Sequence, residues 1–346
     1  MRRTPLAAAA VTSALALAVA LPVSADPQTR PNGPWVEDSQ HVSYERLHTD
    51  VELAKALARI ERSSQGRVDV ESVGSSNEGR DLWLAKAGTG DTTLMIVAQQ
   101  HGNEPLGAEA ALQFLQAVGA GGAQVDAWLK DVTLLVMPRL NPDGAARNQR
   151  YTHAPGCHGD IYGGAFCSPS RGFDMNRYHS PALTPDTNPV RESGIVQRVY
   201  ETYQPDLLVD YHHQGSYVSE DGDLITASTF WPSSPAADPD AVALSKQTVR
   251  LIYDTLTQYG FAEVTQYPGG QFEGIFRNAY AIRGSGGVLV ELRGGIGQKS
   301  AGMLIRTAYA SMFALLESYA EGTLTAIDPA SAEEIPERGP SVRDPH

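Results

Sequence analysis

The chain is short of cysteine, of positive charge and of long apolar runs, and each shortage narrows what it can be. Lysine and arginine total 27 against 40 aspartates and glutamates, a formal net charge of -13 over 346 residues. So acidic a chain argues against nucleic acid as a partner, because that binding needs Lys and Arg to neutralise phosphates. It suits a soluble, self-repelling protein. There are two cysteines, Cys157 and Cys167, in a glycine-rich stretch. Outside a reducing compartment, a pair this close reads as a disulfide that pins a loop, not as a metal site. No G-x-S-x-G elbow occurs, which removes the serine hydrolases that depend on it. No internal repeat is present. Beyond the first residues, no stretch is apolar enough to span a bilayer. Hydrophobic residues still make up 42% of the chain, enough for a large core.

The one prominent apolar run is at the start. Arg2 and Arg3 precede an Ala-, Leu- and Val-rich stretch at 6–21, and Val23-Ser24-Ala25 supplies small residues for a peptidase. This reads as a signal peptide over 1–25, cleaved after Ala25. The run is short for a membrane anchor, has no positive cluster after it, and has no cysteine near the cut for lipid attachment. Losing Arg2 and Arg3 takes the charge from -13 to -15. The expectation is a secreted or periplasmic protein, free of the membrane after cleavage. Residues 26–42 form an arm too small for a folded inhibitory pro-domain, so activity without proteolytic activation is expected.

From there an α/β rhythm sets in. Helical periodicity covers 44–62, strands are expected at 68–73 and 81–87, and a turn at 74–79 joins them. TLMIVA (93–98), VTLLVM (132–137), LLVDY (207–211) and GVLVEL (287–292) read as strands buried on both faces. Helices are expected at 107–118, 191–203, 241–259 and 301–321. The pattern predicts one α/β domain over 43–322, with a mixed, mostly parallel central sheet and helices on both faces. Residues 323–346, rich in Pro, Ser and charge, read as a flexible tail. In such sheets ligands sit at the carboxyl ends of the strands, and His101, Asn141, His212 and Glu291 all fall there.

His101-Gly102-Asn103-Glu104 places an imidazole and a carboxylate three residues apart in a turn past a buried strand. Both are ordinary zinc ligands. Alone, the tetrapeptide could as well be a polar turn opening a helix. A catalytic zinc wants a third protein ligand, which His212 or His213 supplies. With those residues in view, several ordered blocks resemble the zinc metallocarboxypeptidases, the funnelin family. They are Asn77-Glu78-Gly79-Arg80, His101 to Glu104, Asn141-Pro142-Asp143-Gly144, Asp174-Met175-Asn176-Arg177, Asp210-Tyr211-His212 and Val290-Glu291-Leu292-Arg293. They run across nearly the whole domain.

The resemblance implies one zinc per chain, held by His101, Glu104 and His212, with His212 preferred over His213 for its D-x-H spacing. It implies Asp174 as the hydrogen-bond partner of His101, and Glu291 as the general base toward the zinc-bound water. A Glu inside a strand as apolar as GVLVEL is otherwise costly to bury. Asn176 and Arg177 would hold the substrate's C-terminal carboxylate, a task suited to the guanidinium fork. Arg150, with Arg147 as rival, would polarise the scissile carbonyl. Tyr267, with Tyr280 as rival, would cap the substrate. The implied activity is removal of C-terminal residues from peptides or proteins, by a monomer. Two alternatives stay open: cell-wall peptides or acyl-amino acids as substrates, and a non-catalytic binding module on the same fold. Phe272 and Glu273 are candidate pocket residues. His41, His48, His153, His158 and His179 lack partners at ligand spacing and read as surface or packing residues.

Overall fold

A computed structural model describes residues 47–258, 262–294 and 298–342. The signal-peptide and N-terminal-arm readings lie outside them. The continuous apolar runs become the middle of one eight-stranded sheet. Its strands are β1 (Val68–Ser75), β2 (Asp81–Ala87), β3 (Thr92–Ala98), β4 (Val132–Met137), β7 (Leu207–Gln214), β8 (Ala227–Phe230), β9 (Val264–Gln266) and β10 (Gly286–Arg293), in the order β1-β2-β4-β3-β7-β10-β8-β9. A separate two-stranded ribbon is formed by β5 (Cys167–Ser168) and β6 (Gly172–Phe173). The centre, β4-β3-β7-β10, is parallel. The β1–β2 hairpin and the β10–β8 pair are antiparallel, so the sheet is mixed.

Side chains alternate across a strand, and both faces of the sheet are apolar. Leu94, Ile96, Val209, Val288 and Val290 face one core. Covering that side are α1 (Asp50–Ser63), α2 (Leu106–Ala120), α3 (Ala123–Asp131), α6 (Pro239–Gln258) and α8 (Gln298–Ala320). Met95, Val97, Leu135, Met137 and Leu208 face the other core, with residues of α5 (Arg191–Tyr203) and α7 (Phe276–Ile282). The short helix α4 (Pro142–Ala146) follows β4. Among the described residues, no helix is long and apolar enough to cross a membrane.

Helix α1 starts at a complete capping box: Thr49 accepts from the Glu52 amide, and the Glu52 carboxylate accepts from the Thr49 amide. Helix α2 lies close on the sheet because Gly107 is there. A Cβ at that position would sit 2.7 Å from the Cβ of Tyr211.

The expected flexible tail at 323–346 is not what residues 323–342 form. They build two 3-10 turns, Leu324–Ala326 and Pro329–Glu334, and then a strap across the sheet edge. Leu324, Ala332 and Ile335 are buried. Gln247 donates to Thr325 O and Ile327 O, and Gln266 donates to Ile335 O. Further on, Val218 and Val342 exchange backbone bonds with Pro340 and Ser216. Polar composition suggested disorder, but three spaced apolar anchors and side-chain donors to the backbone are enough to order the segment.

Candidate metal centre and active site

The carboxyl ends of β3, β4, β7 and β10 converge on one corner of the sheet. After β3 the chain turns sharply, with Gln99 in the left-handed region at φ 56°, and delivers His101 and Glu104 before α2 begins. Gly102 lets this turn press against α4; a Cβ there would fall 2.0 Å from the Gly144 carbonyl carbon. Asn141, at the end of β4, ties the corner together. Its Oδ1 accepts from the Gly144 amide, and its Nδ2 donates to Gln100 O and Arg150 O. Asp143 anchors the first hairpin by accepting from Ser76, from the Glu78 amide and from Arg80.

His101, Glu104 and His212 come together as a buried triad, one ligand atom from each lying within 4.8 Å of the others. The inward atoms are Nδ1 of both rings and the Glu104 carboxylate. His101 Nδ1 is 2.8 Å from Glu104 Oε1, His212 Nδ1 is 2.9 Å from Glu104 Oε2, and the two Nδ1 atoms are 3.0 Å apart. The outward atoms meet carboxylates. His101 Nε2 lies 3.1 Å from Asp174 Oδ1, and His212 Nε2 lies 2.6 Å from Asp210 Oδ2. An Nε2–H donated to each carboxylate leaves both Nδ1 lone pairs aimed inward. Two such lone pairs and a carboxylate, out of water, demand a positive charge between them. This donor set fits a divalent zinc.

His213 stands apart from the triad. Its Nε2 accepts from the Leu106 amide, the first N–H of α2, and burial holds its pKa down at about 4. Its backbone amide donates to Glu104 Oε2.

Glu291 lies directly opposite His212 in the β7–β10 register. It is buried, and its Oε2 has no hydrogen-bond partner. Burial pushes its pKa up to about 7 despite the pull of the His212 imidazole. A dication in the triad would draw it down again.

The open side of the triad is a pocket of about 320 Å³ that also holds Glu291, Arg150, Asn176, Arg177 and Tyr267 in its wall. Arg150 is held by Asp174 at 2.9 Å, and its Nη1 is 3.6 Å from Glu104. Arg147 pairs with Glu78 instead. Asn176 accepts from the Phe276 amide at 2.8 Å. Arg177 donates to Asn176 O at 2.7 Å, and its guanidinium lies over the Phe166 ring. Phe166 belongs to the loop closed by the Cys157–Cys167 disulfide. Tyr280 is fully buried between Tyr200, Phe276 and His179, away from this wall.

The expectation for Phe272 and Glu273 needs amending. Phe272 packs on Phe166 and Tyr162, Glu273 is exposed, and neither is in the pocket wall. His48 and His179 are packing residues, as expected, and each also meets a polar group: Glu109 at 2.6 Å and Gln100 at 2.6 Å. Gln100 bridges on to Asp210, so His179 supports the shell behind the triad. Sequence reading also missed Arg277 and Arg338, which line the pocket. Arg277 sits on an unpredicted short helix and Arg338 in the supposed tail, so no motif drew attention to either.

The zinc carboxypeptidase family model matches residues 53–261. Rat carboxypeptidase D is 25% identical over 157 residues, 42% of this chain and 11% of that protein. Probable carboxypeptidase 2 of Trichophyton verrucosum is 28% identical over 112 residues, 32% of this chain and 17% of that protein. This chain therefore spans only a small part of the curated relatives it matches. Among solved structures, thrombin activatable fibrinolysis inhibitor aligns with TM-score 0.61 at 15% identity, covering 87% of this chain and 80% of that one. A metallo-carboxypeptidase from Burkholderia cenocepacia aligns with TM-score 0.58 at 15% identity, covering 81% and 71%. At such identities the structural likeness speaks to the fold.

Proposed function

This chain belongs to the zinc carboxypeptidase family, and from that premise we propose that it is an exported, zinc-dependent exopeptidase acting on peptide C-termini. The observation that carries this reading is a single juxtaposition. Two Nδ1 atoms and a carboxylate converge beside Glu291, whose Oε2 has no partner, with the guanidinium of Arg177 in the same pocket wall. Export is proposed on the sequence of residues 1–25.

His101, Glu104 and His212 would hold one zinc, with Asp174 and Asp210 fixing the imidazole tautomers. Bound there, zinc supplies Lewis acidity toward a carbonyl oxygen and toward water. Arg177, assisted by Asn176, grips the free C-terminal carboxylate, which limits the reaction to chain ends. Arg150 is held by Asp174 and leans toward Glu104, within the same pocket as the scissile carbonyl, and donates to its oxygen as negative charge builds there. Glu291 takes the proton from the attacking water and passes it to the leaving amine. Its burial suits this, because a carboxylate with few protein hydrogen bonds is a stronger base. Tyr267 closes over the substrate.

Activity and metal content together test the reading. The wild-type protein should contain one zinc per chain and release single residues from peptides with free C-termini, and none from amidated ones. Glu291→Gln should keep the zinc and lose at least about 10³-fold in kcat. Cleavage of amidated peptides at comparable rates would rule out Arg177 as a carboxylate clamp. Bound zinc with no trimming of any ordinary peptide would move the substrate to cell-wall peptides or acyl-amino acids.

A further inference from the structure

The pocket holds more positive charge than one C-terminal carboxylate needs. Arg150 is matched by Asp174 and Glu104, and Arg177 is assigned to the substrate's terminus. That leaves Arg277, in the first turn of α7. It is 3% exposed, yet its polar contacts among the described residues are neutral: Nε donates to Trp231 O at 3.2 Å and Nη2 to Gly270 O at 2.9 Å. The face of the guanidinium lies 5.5 Å from the Phe230 ring centroid. Among the described residues no carboxylate comes within 4.0 Å of it, and Nη1 makes no hydrogen bond beside those of Nε and Nη2. Burying a cation with no direct ion pair is costly, and burial here pulls its pKa down to about 10, offset only in part by the fields of Tyr267 and Glu291. Arg338 adds a second cation with no carboxylate partner among the described residues. It donates to Gln214 Oε1 at 2.8 Å and lies over the rings of Tyr217 and Tyr267. Among the described residues the one carboxylate in the pocket wall is Glu291, and it is assigned to proton transfer.

We propose that Arg277 selects substrates whose C-terminal residue has an acidic side chain, glutamate or aspartate. The inference rests on the carboxypeptidase reading above and deepens it. The free Nη1 donates to the side-chain carboxylate, which supplies the contacting counter-charge that no described residue gives it. The two carbonyl oxygens hold the planar fork in place, so little ordering is left for the substrate to induce. Ile275 and Leu289, also in the wall, provide apolar contact for the methylenes. Arg338 raises the positive potential at the rim and steers the doubly anionic terminus inward.

The test is a comparison of kcat/KM for N-acylated dipeptides ending in Glu, Asp, Gln, Leu and Arg, made with the zinc-loaded protein. Glu and Gln are nearly isosteric, so their ratio isolates the charge. The expected wild-type preference for Glu over Gln is about 10- to 100-fold, the worth of one charge-assisted hydrogen bond. In Arg277→Gln the ratio should fall to near one, while Arg277→Lys should keep a preference above that of Arg277→Gln. Wild-type cleavage of the Gln or Leu peptide as fast as the Glu peptide overturns the proposal and leaves the carboxypeptidase reading standing. That outcome needs no variant, so poor folding of Arg277→Gln does not shield the idea. A wild-type preference for Glu that Arg277→Gln leaves intact overturns the role of Arg277. No trimming of any peptide removes both readings.

Discussion

The two imidazoles illustrate how a residue's chemistry is set by what stands behind it. His101 and His212 each turn Nε2 toward a buried aspartate, so their Nδ1 atoms are left as acceptors toward the centre. Replacing Asp210 by Asn should free the tautomer of His212 and weaken zinc binding by about 10- to 100-fold, read by competition with a chromophoric chelator. Glu192 is a second buried carboxyl, in the first turn of α5, and burial with the nearby Asp143 carboxylate pushes its pKa to about 7. The native state therefore keeps a proton there that the unfolded chain loses from its ordinary value of 4.5. The resulting stabilisation is present below about pH 4.5 and is lost as pH rises through 7. Glu192→Gln, neutral throughout, should gain about 2–3 kcal/mol relative to wild type at pH 8 and little at pH 4. Equal effects at both values in urea unfolding would show that the side chain is not protonated natively. At this scale the sequence was legible where chemistry is carried by spacing. H-G-N-E, D-x-H and a lone Glu in an apolar strand brought His101, Glu104, His212 and Glu291 forward. Arg277 was illegible because an arginine in an unremarkable segment reveals its lack of a counter-ion only when its neighbours are known.

Elements show the same division. The four long apolar strands and the helices between them follow from periodicity, and their observed ends lie close to the expected ones. The elements missed are short: α3, α4, α7, β5, β6, β8 and β9. ASTF in β8 and VTQ in β9 offer too few residues for a period to register. They are stabilised by neighbours, β8 by pairing with β10 and β9 by pairing with β8. The C-terminal strap is the instructive case. Its order depends on buried Leu324, Ala332 and Ile335, residues too sparse to form a pattern. Ile335→Ala should lower stability by about 2–4 kcal/mol and raise KM as well, because Arg338 and its stacking on Tyr267 lie three residues on. A stability loss with unchanged KM would separate the strap's anchoring from the pocket.

For the whole molecule, the strand order is what assembles the site. The triad comes from the turn after β3 and from β7, the proposed base from β10 and the proposed clamp from the connection that follows β6. His101 and His212 are 111 residues apart in the chain, so the cage exists only when the sheet does. Zinc should then bind the folded state far better than the unfolded one. Chelation should lower the melting temperature by several degrees, and zinc in excess should restore it, as followed by differential scanning fluorimetry. An unchanged midpoint would mean that the triad does not hold the ion. The alternation of buried strands with helices made the parallel core legible in advance. The β1–β2 hairpin was legible from its turn as well, whereas the pairing of β8 with β10 and the closing strap depend on long-range contacts that a local pattern does not encode.

The strap also has a bearing on timing. A ribosome makes residues 335–342 after every other part of the pocket wall, from His101 through Glu291. A nascent or truncated chain can thus possess the triad and still lack the edge that Arg338, and the backbone bonds of Pro340 and Val342 to the 216–218 loop, complete. On the proposed reading, peptide trimming should await the synthesis of residues 335–342.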